Sequence, residues 1–214
     1  MDLPALYPII DTALCRERGI DAAALAEACL RGGARLLQLR ATADESSAGV
    51  LTLADAMVTA ARSYAARIVI NDRADIARMS HADGVHVGQT DLPVAAARAI
   101  VGSAAMVGIS THDRDQIDQA LASDASYVAV GPIYGTATKD TGYTPRGLDL
   151  IRYASRRGKP IVAIGGITLD RAADVAAAGA SALAVIADIL AGSDPERRVR
   201  AFLARLPPQP FKVY

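Results

Sequence analysis

Arg67-Ile68-Val69-Ile70-Asn71-Asp72 is a short β-branched run, and the helix-forming stretch Ala74–His81 follows it. Gly84-Val85-His86-Val87-Gly88 repeats the pattern, with Leu92–Val101 behind it. Met106–Thr111 opens a third copy, with Arg114–Ser123 behind it. Strand-sized apolar runs separated by helix-sized stretches require parallel strands joined by crossover helices. Working outward, the same unit recurs in both directions. Leu6–Asp11 is followed by Asp21–Gly32, and Leu36–Arg40 by Ala48–Ala66. Tyr127–Pro132 is followed by Leu148–Arg157, Pro160–Gly166 by Leu169–Ala178, and Ala182–Ala187 by Asp194–Arg205. Eight strands alternating with eight helices predict an α/β chain folded as a (β/α)8 TIM barrel. A doubly wound open sheet would use fewer strands and a glycine-rich first turn, whereas the first strand here ends Ile10-Asp11-Thr12. Gly32-Gly33 and Gly179-Ala180 follow helices where a left-handed cap is expected.

No Pro- or Ser-rich linker divides the chain, so residues 1–206 are expected to form one barrel domain. Residues 207–214 form a Pro-rich tail, because Leu206-Pro207-Pro208-Gln209-Pro210 cannot continue a helix. Of the 214 residues, 51% are apolar and 21% charged, as in folded soluble proteins. The 23 basic and 23 acidic residues balance, so no basic field invites nucleic acid. Met1–Pro8 lacks the charged and apolar blocks of a signal peptide. No stretch reaches the roughly 20 apolar residues of a membrane span. Cys15 and Cys29 form no metal-like or redox-like pair and are read as reduced thiols. A cytoplasmic location is therefore expected, while the oligomeric state is not legible.

A barrel enzyme carries its chemistry at the C-terminal ends of its strands. In Leu36–Arg40, period two turns Leu37 and Leu39 toward the helix layer and Gln38 and Arg40 into the barrel mouth. An inward Arg is costly to desolvate without an anion; the alternative is a snorkelling side chain at a strand end. Asp72 and Asp91 fall at the ends of neighbouring strands, and such a carboxylate pair suits Mg²⁺, which completes its shell with water and phosphate. Each Asp alone also fits a helix cap. The connection Gly131–Gly142 is long and carries hydroxyls and a lysine, as a loop closing over phosphate would. Gly165-Gly166 and the end of the eighth strand at Ile186-Ala187 lie where many barrels bind phosphate. His86 reads as a hydrogen-bonded strand residue, His112 as rim support and His81 as a helix end. There is no Gly-x-Ser-x-Gly elbow.

These segments, in this order, resemble the thiamine phosphate synthase family. The matching elements are Gln38-Leu39-Arg40, Asn71-Asp72-Arg73-Ala74-Asp75, and Ala82–Gln89 with Asp91. They continue with Gly108-Ile109-Ser110, Gly131–Lys139 and Ile164-Gly165-Gly166-Ile167. The resemblance implies a transferase of thiamine biosynthesis that joins a pyrimidine diphosphate to a thiazole phosphate with Mg²⁺. It places the pyrimidine diphosphate against Gln38-Leu39-Arg40-Ala41-Thr42, Asn71, Ser110 and Lys139. It places Mg²⁺ on Asp72 and Asp91. The thiazole phosphate falls on Thr136-Ala137-Thr138, Gly166, Ile186 and Ala187. Arg40, Ser110 and Lys139 carry the catalytic roles.

Two departures stand out. The family's usual lysine two residues after the arginine is Thr42 here, and its usual serine near the last strand is Ala187. Loss of a charged hydrogen bond, worth roughly 1.5–3 kcal/mol, implies that Thr42→Lys raises activity. Two other readings stay open: a thiazole tautomerase-like relative, which carries a histidine where this chain has Pro132, and a barrel that binds the pathway's phosphates without turning them over. Small-molecule substrates, with no nucleic acid and no membrane, are the expected partners.

Overall fold

The computed structural model describes residues 2–135 and 142–207. Eight parallel strands close into a barrel in the order β1 to β8. They are β1 (Leu6–Asp11), β2 (Leu36–Arg40), β3 (Arg67–Asn71), β4 (Gly84–Val87), β5 (Met106–Thr111), β6 (Tyr127–Val130), β7 (Ile161–Ile164) and β8 (Ala182–Val185). Closure comes from β1 pairing with both β2 and β8, with Ile9 opposite Gln38 and Tyr7 opposite Ala184. The predicted TIM barrel is therefore the fold observed.

Around it lie α1 (Thr12–Glu17), α2 (Ala22–Arg31), α3 (Ser47–Arg62), α4 (Ala74–Met79) and α5 (Val94–Val101). The ring continues with α6 (Arg114–Ala122), α7 (Gly147–Ala154), α8 (Ala172–Ala177) and α9 (Pro195–Arg205). The sequence reading misses α1, which starts on the residue after β1 with no intervening turn. Asp11 makes this possible: it ends β1 and its Oδ1 accepts from Leu14 N–H at 2.9 Å, capping α1. The ring closes where α9 meets α2. A Cβ on Gly32 would lie 2.8 Å from Val199 Cβ there, and Arg31 pairs with Glu196 at 3.0 Å. None of the described helices is long and apolar enough to cross a membrane.

Alternation along the strands builds two cores. Leu37, Leu39, Ile68, Ile70, Val85, Val107, Val128 and Leu183 face outward and pack with the helices. Leu36, Val69, Met106, Tyr127, Ala129, Val162 and Ala184 fill the interior with Tyr7 and Ile9. Burying one large aliphatic side chain contributes about 1.5–3 kcal/mol, so the outer layer dominates the apolar stabilisation. Several strands stop earlier than expected. Asp72 has φ +62, which takes it out of β3. The residues that follow the shortened strands supply the rim. Gly33 (φ +108) and Gly179 (φ +107) adopt the left-handed caps expected after their helices.

Candidate active site

The inward residues are not all apolar. Tyr7 and Tyr127 are fully buried, and their hydroxyls meet at 3.0 Å. Gln38 Nε2 donates to Tyr7 Oη at 3.0 Å. Tyr127 Oη lies 3.0 Å from His86 Nδ1, and His86 Nε2 lies 2.8 Å from Ser110 Oγ. Burial pushes both phenols well above their ordinary range, so each keeps its single proton. Starting from the Gln38 amide, the protons then run one way: Gln38 to Tyr7, Tyr7 to Tyr127, Tyr127 to His86 Nδ1. His86 is left with its proton on Nε2, donated to Ser110 Oγ. The Ser110 hydroxyl proton is free to point into the barrel mouth. Small residues make room for the two tyrosines. A Cβ on Gly108 would lie 2.1 Å from Tyr127 Cζ and 2.5 Å from His86 Nδ1.

Above this floor opens a cavity of about 600 Å³ at the C-terminal ends of the strands. Gln38, Arg40, Asn71, Asp91, Ser110, Gly166, Ile186 and Ala187 all line it. Thus β2, β3, β5, β7 and β8 deliver their expected residues to one space. Ala41, Thr42 and Asp72 are not among its lining, and the Leu39 side chain is buried in the outer layer instead. That is the direction strand alternation gives Leu39 in the sequence. Thr136, Ala137, Thr138 and Lys139 lie outside the described residues.

Arg40 finds its anion inside the protein. It forms an ion pair with Asp11, which is 3% exposed and is its register partner on β1. One guanidinium nitrogen serves this bond, and the remaining donors are available to a second anion. Thr42 is held by Glu45, whose Oε1 accepts from Thr42 Oγ1 at 2.8 Å, Thr42 N–H at 3.3 Å, Arg16 at 3.2 Å and Thr12 Oγ1. Burial pushes the Glu45 carboxyl up, but the hydrogen bonds from Thr12 and Thr42 and the charge of Arg16 leave it below its ordinary value.

Neither candidate metal ligand caps a helix. Asp91 Oδ2 accepts from Gly88 N–H at 2.8 Å, closing the turn after β4. Asp72 is exposed, and its own N–H donates to His86 O at 2.7 Å, setting it against β4. Among the described residues no group of three or more His, Cys, Asp or Glu gathers as a metal site.

Beyond β7, Gly166 has φ +61, and a Cβ there would lie 2.4 Å from Gly135 O. Arg171 donates to Gly166 O at 2.7 Å and stacks over Tyr134 at 4.4 Å. Beyond β8, Asp188 accepts from Leu169 N–H at 2.9 Å and pairs with Arg198 at 2.6 Å. His112 supports the rim, with Nδ1 2.7 Å from Gly131 O and its ring stacked on Tyr143 at 4.1 Å. Both cysteines are buried, and burial pushes Cys15 up to about 11 and Cys29 to about 12, so neither is a ready nucleophile.

Sequence reasoning missed Tyr7, Asp11 and Tyr127, and also Arg18, which lines the cavity. Tyr7 and Asp11 share the inward face of β1, and Gly108 inside a strand signals a close neighbour; both signals are visible only once the register is known.

A family model described as thiamine monophosphate synthase matches residues 6–189. The thiamine-phosphate synthase of Mycobacterium marinum is 46% identical over 193 residues, covering 84% of this chain and 86% of that protein. That of Mycolicibacterium vanbaalenii is 44% identical over 212 residues, covering 91% and 90%. Among solved structures, thiamine phosphate pyrophosphorylase from Pyrococcus furiosus superposes with a TM-score of 0.84 at 26% identity, covering 94% of each chain.

Proposed function

The chain belongs to the thiamine monophosphate synthase family, and we propose that it condenses 4-amino-2-methyl-5-(diphosphomethyl)pyrimidine with a thiazole phosphate, giving thiamine phosphate and diphosphate. The observation that carries this reading is one cavity lined by Gln38, Arg40, Asn71 and Ser110 on one side and by Gly166, Ile186 and Ala187 on the other. Two substrates held side by side react far faster than two in solution.

In this reading the pyrimidine ring rests on the polar floor, with the Ser110 hydroxyl donating to it and Gln38 fixing its edge. Arg40, held by Asp11, faces the diphosphate with Asn71. Lys139 joins it from the connection after β6. The bond between the methylene carbon and the diphosphate oxygen breaks, and its electron pair leaves with diphosphate. The electron-rich aminopyrimidine carries the resulting positive charge. The thiazole nitrogen then donates its lone pair to that carbon, so no protein nucleophile is required. Arg40 and Lys139 stabilise charge that grows on the leaving group. Thr136 and Thr138, with Gly166 and the backbone at Ile186 and Ala187, hold the thiazole phosphate.

The donors at the ends of β3 and β4 fit Mg²⁺, which takes one or two carboxylates and fills its shell with water and phosphate oxygens. Asp72 and Asp91 would hold it. When bound, the ion supplies further positive charge to the departing diphosphate.

The test is to incubate the purified chain with both substrates and measure both products. One diphosphate released per thiamine phosphate formed supports the synthase. Conversion of the thiazole alone would support a tautomerase, and tight binding without any product a non-catalytic binder.

A further inference from the structure

Two cations stand among the described residues of the cavity wall, Arg40 and Arg18. They differ in what they already hold. Arg40 is already paired with Asp11. Arg18 takes part in no ion pair among the described residues. Its Nη1 donates to Leu190 O at 3.1 Å, a neutral acceptor that positions the guanidinium without cancelling its charge. Leu190 ends the short 3-10 turn Ala187–Leu190 that follows β8. Arg18 therefore reaches across from the end of α1 to the β8 side of the cavity, beside Ile186 and Ala187. The acid nearest in sequence to that side, Asp188, is already paired with Arg198. The excess charge there is positive, and it faces a cavity with Gly166 on the same side.

We infer that Arg18 binds the phosphate of the thiazole substrate and selects the phosphorylated thiazole over its free alcohol. This rests on the synthase reading given above. Its physical logic is the absence of a side-chain donor at Ala187: a methyl stands at the edge of the phosphate site, and a guanidinium from the neighbouring β1 connection provides donors and charge instead. Arg18 and Arg40 then divide the two anionic substrates between them, one arginine to each.

The test is steady-state kinetics of Arg18→Ala and Arg18→Lys, varying each substrate at saturating levels of the other. Arg18→Ala should raise KM for the thiazole phosphate about tenfold or more and leave KM for the pyrimidine diphosphate unchanged. Its turnover of the unphosphorylated hydroxyethyl thiazole should match that of the parent chain, and Arg18→Lys should recover part of the loss. An unchanged KM for the thiazole phosphate, or a rise confined to the pyrimidine diphosphate, overturns the assignment. If the parent chain forms no thiamine phosphate, the synthase reading fails by itself. Calorimetric titration with inorganic phosphate then decides the role of Arg18: weaker binding by Arg18→Ala sustains it as a phosphate ligand, and equal binding removes it. Arg18→Gln serves in place of Arg18→Ala if that variant does not fold.

Discussion

Asp11 and Arg40 are register partners at the ends of β1 and β2, and they form an ion pair in which the Asp11 side chain is 2% exposed and the Arg40 side chain 23%. The same carboxylate caps α1 through Leu14 N–H. One buried Asp thus starts a helix and aims an arginine at the cavity. Breaking a fully buried pair costs about 3–5 kcal/mol, and the partial exposure of Arg40 lowers that here. Asp11→Asn retains a capping side chain but loses the charge. Denaturant unfolding should show it less stable by about 2 kcal/mol, with a raised KM for the pyrimidine diphosphate. A cycle of Asp11→Asn, Arg40→Met and the double variant should give a coupling above about 1 kcal/mol. Strict additivity would mean that the pair does not position Arg40.

The Tyr7–Tyr127–His86–Ser110 chain yields a second expectation. Tyr127→Phe removes the only proton that His86 Nδ1 receives in that chain and leaves Tyr7 without its acceptor. Buried groups left unsatisfied cost about 1–3 kcal/mol. The variant should fold with lower stability and a lower kcat, because the Ser110 hydroxyl loses its fixed orientation. Gly108→Ala should be worse, since its Cβ would collide with the Tyr127 ring. Wild-type kcat in a folded Tyr127→Phe protein would show that the relay is only structural packing.

Thr42 gives a third. The resemblance implies that lysine at this position raises activity. The structure adds that position 42 is bonded to Glu45, with Asp44 close by in the Arg16 cluster. A lysine there meets two carboxylates before it meets diphosphate. Thr42→Lys alone should therefore raise kcat/KM only a few-fold. Combined with Glu45→Gln it should approach the roughly tenfold expected of a charged hydrogen bond. Equal kinetics for the two variants would remove Glu45 from the explanation.

Glu45 also makes stability depend on pH. Its carboxyl is held below the ordinary glutamate value despite burial. A depressed folded pKa contributes stability that is fully present above the unfolded value and is lost as pH falls through the folded one. Asp83 acts in the opposite sense: burial raises it, so its contribution declines as pH rises through the folded pKa. Thermal unfolding of Glu45→Gln and the parent chain should differ most at neutral pH and converge in acid. A difference that grows in acid would reverse the sign and exclude this role.

Much of the architecture was legible because alternation is strict. Leu37 and Leu39 against Gln38 and Arg40 already told the two faces of β2 apart, and Gly165-Gly166 marked the cavity wall beyond β7. What escaped depended on register or on side-chain direction. Asp11 meets Arg40 across 29 residues, and Tyr7 meets Tyr127 across 120. Helix α1 escaped because no turn separates it from β1. Arg18 escaped because nothing local shows the residue after α1 reaching toward the turn that follows β8. Asp72 looked like the last residue of β3, yet its positive φ ends the strand at Asn71.

Whether this cavity joins two phosphorylated substrates is tested by thiamine phosphate formation by the purified chain, with Mg²⁺ and then with excess EDTA. Product should form with the metal present and be lost on chelation. No product with Mg²⁺, from a folded protein and intact substrates, would contradict it.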